Sequence, residues 1–128
     1  MAKVTGSIDQ LGRPFVRIEG ALDSVLVTVD TGFNGELPMT REAARLIGAD
    51  PFDDETNVEP GDGRTVRLYE SRATIGWLDQ ERRVRILVSN DWIVTGDAPG
   101  GLLGTELLAP HLLLIDFASG MVEIETQD

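Results

Sequence analysis

Residues 25–32, Val-Leu-Val-Thr-Val-Asp-Thr-Gly, form a β-branched apolar run cut off by three turn formers. In an extended segment Val25, Val27 and Val29 share one face, while Leu26, Thr28 and Asp30 share the other. Thr31-Gly32 then turns the chain, with Gly32 free to adopt backbone angles closed to other residues. The consequence is a carboxylate, Asp30, held at the end of a rigid strand. Alone, such a triplet reads as a loop rather than a reactive site. Two downstream features add weight. Gly101-Leu102-Leu103-Gly104 is strongly apolar and leads into Thr105-Glu106-Leu107-Leu108, and a very apolar strand follows over 111–117.

The remaining chain is punctuated like a β protein. Strands are expected over 4–9 and 15–19, the second alternating Val16 and Ile18 with Arg17 and Glu19. Asn34-Gly35 is a strong hairpin signal, so the chain is expected to double back there. Pro38 keeps the extended piece over 36–39 away from the middle of a sheet. A helix follows, capped by Thr40, running over 41–47 and stopped by Gly48 and Pro51. A long extended stretch over 64–78 changes phase near Glu70-Ser71, which predicts a bulge. After a turn at Asp79-Gln80-Glu81, a strand over 82–88 points Val84, Ile86 and Val88 inward. Thr105 is placed to cap one helical turn ending at Pro110, and 112–117 and 121–125 form a last hairpin around Ala118-Ser119-Gly120. Such closely spaced turn signals suit an all-β barrel or sandwich.

Composition removes several function classes. The 128 residues suit a single domain, 1–128, with 41% hydrophobic and 26% charged residues. A net charge of −11 repels phosphate backbones and argues against nucleic acid as a partner. No apolar run approaches the roughly 18 residues that span a membrane, and the first residues lack an export-type apolar core, so the expected compartment is the cytoplasm. Cysteine is absent, which excludes thiolate chemistry. His111 is the single histidine and reads as a surface residue at a strand end, leaving no His-based metal site or Ser-His-Asp triad. Asp53-Asp54-Glu55 is acidic, but its spacing fits no metal loop and it reads as solvated. The Gly/Pro loop over 96–101 lacks the Lys-Ser/Thr of a phosphate cradle. Trp77 and Trp92 read as core or rim aromatics, and Glu106 as a helix N-terminal acid.

An apolar strand ending in Asp30-Thr31-Gly32, then late in the chain Leu102-Leu103-Gly104, a short helix and a terminal strand pair, resembles the retropepsin-type aspartic proteases. The resemblance implies an all-β fold with one or two short helices, closed into an acid-protease-like β-barrel equivalent to half of a pepsin. It implies an aspartic endopeptidase without metal or cofactor, acting on a peptide or protein substrate. Asp30 would be the shared acid and base, Thr31 would tie two active-site loops together, and Gly32 would let substrate approach. Leu103 and Gly104 would support the site. The flap over the substrate would fall at Gly61, Asp62 and Gly63, which lack the apolar tip of the viral enzymes. Phe33 also departs from the viral pattern, which has a small residue there; it would either narrow the cleft or pack outward.

Carboxylate-driven peptide hydrolysis needs two acids sharing one site, and this chain carries one Asp-Thr-Gly. The second must come from another copy, so a two-fold homodimer is expected. The viral dimers interleave terminal strands, for which the candidates are 4–8 and 121–126, although the tail over 125–128 is acidic. Two other readings stand beside this one: a catalytically silent domain of the same fold that dimerises or binds peptide, and an unrelated small barrel whose Asp-Thr-Gly is only a turn.

Overall fold

The computed structural model describes residues 2–51, 55–58, 66–89 and 100–127. Among them the chain is mostly β, with ten strands and two short helices. In order these are β1 (Lys3–Ile8), β2 (Pro14–Glu19), β3 (Ser24–Val29), β4 (Leu37–Met39), α1 (Arg41–Leu46), β5 (Glu55–Val58), β6 (Val66–Trp77), β7 (Gln80–Val88), β8 (Leu102–Leu103), α2 (Thr105–Leu108), β9 (Leu112–Asp116) and β10 (Met121–Glu125).

The main sheet path runs β4-β7-β6-β2-β1-β10-β9. From it, β3 branches off β2, β5 off β6, and β8 off β3. The expected barrel closure is absent from the pairing of the described residues: the path has two ends, because β9 is hydrogen-bonded on one side only, to β10.

The alternation read from the sequence matches the burial. Val25, Val27 and Val29 are buried in β3, as are Val16 and Ile18 in β2 and Val84, Ile86 and Val88 in β7. These join Leu37, Leu103, Leu107, Val122 and Ile124 in one hydrophobic cluster. Helix α1 closes over it with Ala43 and Ala44, and the Thr40 hydroxyl accepts the Ala43 N–H at 3.2 Å as its N-cap.

Four expectations about local structure are corrected. Asn34-Gly35 makes no hairpin: β4 does not return along β3 but lies parallel to β7, in the register Leu37↔Ile86. Gly35 is instead held by α2, whose Glu106 N–H donates to its carbonyl. The phase change in β6 needs no bulge, because pairing with β7 is continuous from Tyr69↔Val88 to Trp77↔Gln80. The strand simply buries one face at Leu68 and the other at Ser71, Ala73, Ile75 and Trp77. The turn after β6 comes one residue early, at Leu78 and Asp79, both with positive φ (51° and 63°), as a two-residue hairpin requires. Finally, His111 is partly buried rather than free at the surface: its ring meets Trp77 edge-on, with centroids 6.5 Å apart, and its Nδ1 is buried. Trp77 itself is core.

Candidate active site

The carboxylate loop begins where β3 stops. Strand β3 lies parallel to β8, pairing Thr28 with Leu102 and Val29 with Leu103. The Thr28 N–H donates to the Gly101 carbonyl at 3.0 Å, and the Asp30 N–H to the Leu103 carbonyl at 2.9 Å. Asp30 is thus the last residue stitched to this apolar ladder, and its side chain stands at the boundary with solvent. Its Oδ1 accepts the Gly32 N–H at 2.9 Å, and its carbonyl accepts the Phe33 N–H at 3.3 Å. These two bonds set the carboxylate rotamer and the turn together. Thr31 and Gly32 are exposed at the tip, while Asp30 is partly buried.

Helix α2 braces the far side of the loop. The first N–H groups of a helix have no partner inside it and must find one elsewhere. Here Thr105 N–H donates to the Phe33 carbonyl at 2.8 Å and Glu106 N–H to the Gly35 carbonyl at 3.1 Å. The capping role expected of Thr105 is corrected: Gly104 sits at the cap position with no side-chain bond, and Thr105 is the first helical residue. Its hydroxyl donates to the Phe33 carbonyl at 3.1 Å, adding a second bond to the same acceptor. Glu106 lies in the first turn, where an acid suits the helix dipole.

Gly104 is a requirement of close approach. A Cβ there would stand 2.1 Å from the Gly35 carbonyl oxygen and 2.7 Å from the Phe33 ring. Gly101, with φ of 152°, is similarly pressed where it bridges Met39: a Cβ there would stand 2.1 Å from the Pro38 carbonyl oxygen. Strand β8 can therefore slot between β3 and the end of β4. Phe33 is partly buried, and its ring lies against Gly35 and Gly104.

The structure brings Asp30, Thr31, Gly32, Leu103 and Gly104 into one constellation. Gly61, Asp62 and Gly63 lie outside the described residues, as do Trp92, Asp53 and Asp54 and most of the Gly/Pro loop before Gly101. Two roles near the site escape the sequence reading. Phe33 supplies the carbonyl that α2 grips. Glu36 anchors the segment after the loop to β7: its carboxylate accepts the Arg85 backbone N–H at 2.9 Å and pairs with Arg82 at 3.4 Å. Main-chain acceptors leave no trace in residue type. An acid paired with arginines far along the chain is a weaker signal still.

The sequence matches no family model and no curated protein. Solved structures are similar. A retropepsin-like aspartic protease from Rickettsia conorii superposes with a TM-score of 0.64 at 17% identity, over 95% of this chain and 89% of that one. The EIAV protease complexed with the inhibitor HBY-793 superposes with a TM-score of 0.54 at 23% identity, over 75% of this chain and 85% of that one. In both, the likeness rests on the backbone rather than on shared residues. The strand-end Asp-Thr-Gly, the parallel β8 beside it and the bracing helix are therefore set in a retropepsin-like fold.

Proposed function

We propose that this chain is an aspartic endopeptidase, a single domain over 1–128 that works as a homodimer in the cytoplasm on peptide or protein substrates. The observation that supports the reading is the strand-end carboxylate Asp30, set by the Gly32 N–H and stitched to Leu103, within a retropepsin-like fold. Two such acids facing each other across a two-fold axis would share one proton, because two adjacent carboxylates do not both ionise cheaply. The ionised acid accepts a proton from the attacking water, and the protonated one donates to the scissile carbonyl oxygen. The pair titrates as a unit, so the rate is expected to follow a bell-shaped pH profile. Thr31, at the exposed tip, would reach the opposite loop, and the bare backbone at Gly32 would admit the substrate. Gly61, Asp62 and Gly63 would form the cover. The reaction calls for no metal or cofactor.

The test is hydrolysis of an unstructured protein across acid to neutral pH, by the native chain and by Asp30→Asn. Loss of general acid–base catalysis should lower the rate by about 10²- to 10⁴-fold. Equal rates in the two proteins would remove Asp30 from the mechanism. A dimer that hydrolyses nothing would point to the silent, peptide-binding form of the fold.

A further inference from the structure

The loop that carries Asp30 is gripped from inside by four consecutive residues. The Leu103 carbonyl accepts the Asp30 N–H at 2.9 Å, and the Gly104 N–H donates to the Glu36 carbonyl at 2.8 Å. Between those two points the Thr105 and Glu106 N–H groups hold the Phe33 and Gly35 carbonyls. All of these bonds come from the β8–α2 segment. Among the described residues, one side chain of the loop reaches a different element: Glu36, at its exit.

Glu36 divides its two ends between two elements. Strand β4 pairs with β7 from Leu37 onward, in the register Leu37↔Ile86. One residue earlier the Glu36 carbonyl is turned to Gly104, and its carboxylate takes the Arg85 N–H instead, at 2.9 Å. The side chain thereby extends the contact with β7 past the start of β4. Arg82 meets the same carboxylate at 3.4 Å, while the Arg85 guanidinium is paired elsewhere, with Glu70.

The two contacts on Glu36 differ in weight. Its side chain is 12% exposed, whereas that of Arg82 is 39% exposed. A main-chain N–H on a sheltered carboxylate makes a charge-assisted bond with no side-chain freedom to lose on the donor's part. A longer pair to a half-wet guanidinium is screened by water and orders a flexible side chain. The Arg85 main-chain bond therefore fixes where Glu36 sits, and Arg82 follows it.

We infer that Glu36 is a positioning residue for Asp30: its carboxylate, held on the Arg85 main-chain N–H, locks the exit of the loop against β7 and through Gly104 and Leu103 sets the place of the acid at the entry. The path is short, because Gly104 holds the exit and its neighbour Leu103 holds the entry. The inference rests on the protease reading above and adds to that site a residue outside the Asp-Thr-Gly. A reacting group misplaced by about 1 Å can lose about 10²-fold in rate, so an anchor that touches no substrate can govern kcat.

Three variants test it. Glu36→Gln removes the charge and keeps an acceptor for the Arg85 N–H. Glu36→Asp keeps the charge and is one methylene too short to reach it. Arg82→Ala removes only the long pair. Each is measured for kcat and KM on an unstructured protein, for its urea midpoint, and for the amide signal of Gly32, whose N–H holds the Asp30 carboxylate whether or not the chain is active. Glu36→Asp should lower kcat by about 10- to 100-fold with KM within about two-fold, and should shift the Gly32 signal. Glu36→Gln and Arg82→Ala should each stay within about three-fold of the native kcat and leave that signal in place. The charge-keeping variant is thus expected to be worse than the charge-removing one. A native kcat and Gly32 signal in Glu36→Asp would overturn the anchor and leave the protease reading standing. A folded Glu36→Gln that loses ten-fold or more, or an Arg82→Ala that does, would also overturn it, because the ion pair and not the main-chain bond would then be holding the loop. A native chain that hydrolyses nothing, with the Gly32 signal moved by Asp and unmoved by Gln, would support the anchor and sink the protease reading.

Discussion

Asp30 is set by backbone. One N–H from Gly32 holds its carboxylate and one carbonyl from Leu103 holds its own N–H, so the acid's position depends on neighbours that never touch a substrate. Gly104 is the clearest of these. Gly104→Ala would place a methyl 2.1 Å from the Gly35 oxygen, and neither backbone segment can yield without moving the loop. The expected cost is about 1–3 kcal/mol in urea unfolding, with hydrolysis reduced even where the chain remains folded. Thr105→Val keeps the shape and removes only the hydroxyl that bonds Phe33. It should lower stability by about 0.5–1.5 kcal/mol in the same assay, a hydrogen bond's worth.

At the scale of elements, the two helices solve the same problem by opposite means. In α1 the free N–H of Ala43 is met by the helix's own cap, Thr40. Thr40→Ala should therefore destabilise the protein by about 0.5–2 kcal/mol in thermal or urea unfolding, with no change in the pH profile of hydrolysis. The free N–H groups of α2 are met by carbonyls of the Asp30 loop, so this short helix is held by the site and holds it in return. A four-residue helix has no stability of its own, and its tertiary bonds account for its existence. Long β6 shows the reverse dependence. Its pairing with β7 runs unbroken through the phase change in its side chains, so ladder hydrogen bonds outweigh the pull of alternation.

For the whole molecule, the corner between α2 and β9 joins the loop to the sheet edge, and His111 sits in it. Burial first, and the Arg82 guanidinium second, hold the imidazole below its ordinary value of 6.5. The unfolded chain thus binds a proton that the folded chain resists. Stability is complete above about pH 6.5 and declines as the pH falls from there toward the lower folded value. Urea midpoints measured across that window should fall with pH in the native chain and vary less in His111→Gln. At lower pH a second loss is expected. Hydrogen bonds from the Ser119 hydroxyl first, then from its backbone N–H, hold the Asp116 carboxyl below its ordinary range, and protonation there releases the β9–β10 turn.

Much of this fold is legible in residue order. The alternation of valines in β3, the Thr40 cap and the terminal hairpin each follow from local periodicity and turn chemistry, which act over a few residues. The Asp-Thr-Gly is legible for the same reason: a strand ends where its turn formers begin. Other features depend on chain meeting chain. Asn34-Gly35 carries a hairpin signal, yet Gly35 is held by α2, far along the chain. Thr105 looks like a cap and acts as a brace; His111 looks exposed and packs on Trp77. In each case a long-range contact outweighs a local preference worth about a kilocalorie. The sequence by itself therefore determined where an acid would stand at the end of a strand. Only the tertiary structure decided what holds that acid and how the strands are ordered in the sheet, because both are properties of distant backbone groups whose pairing no single residue type encodes.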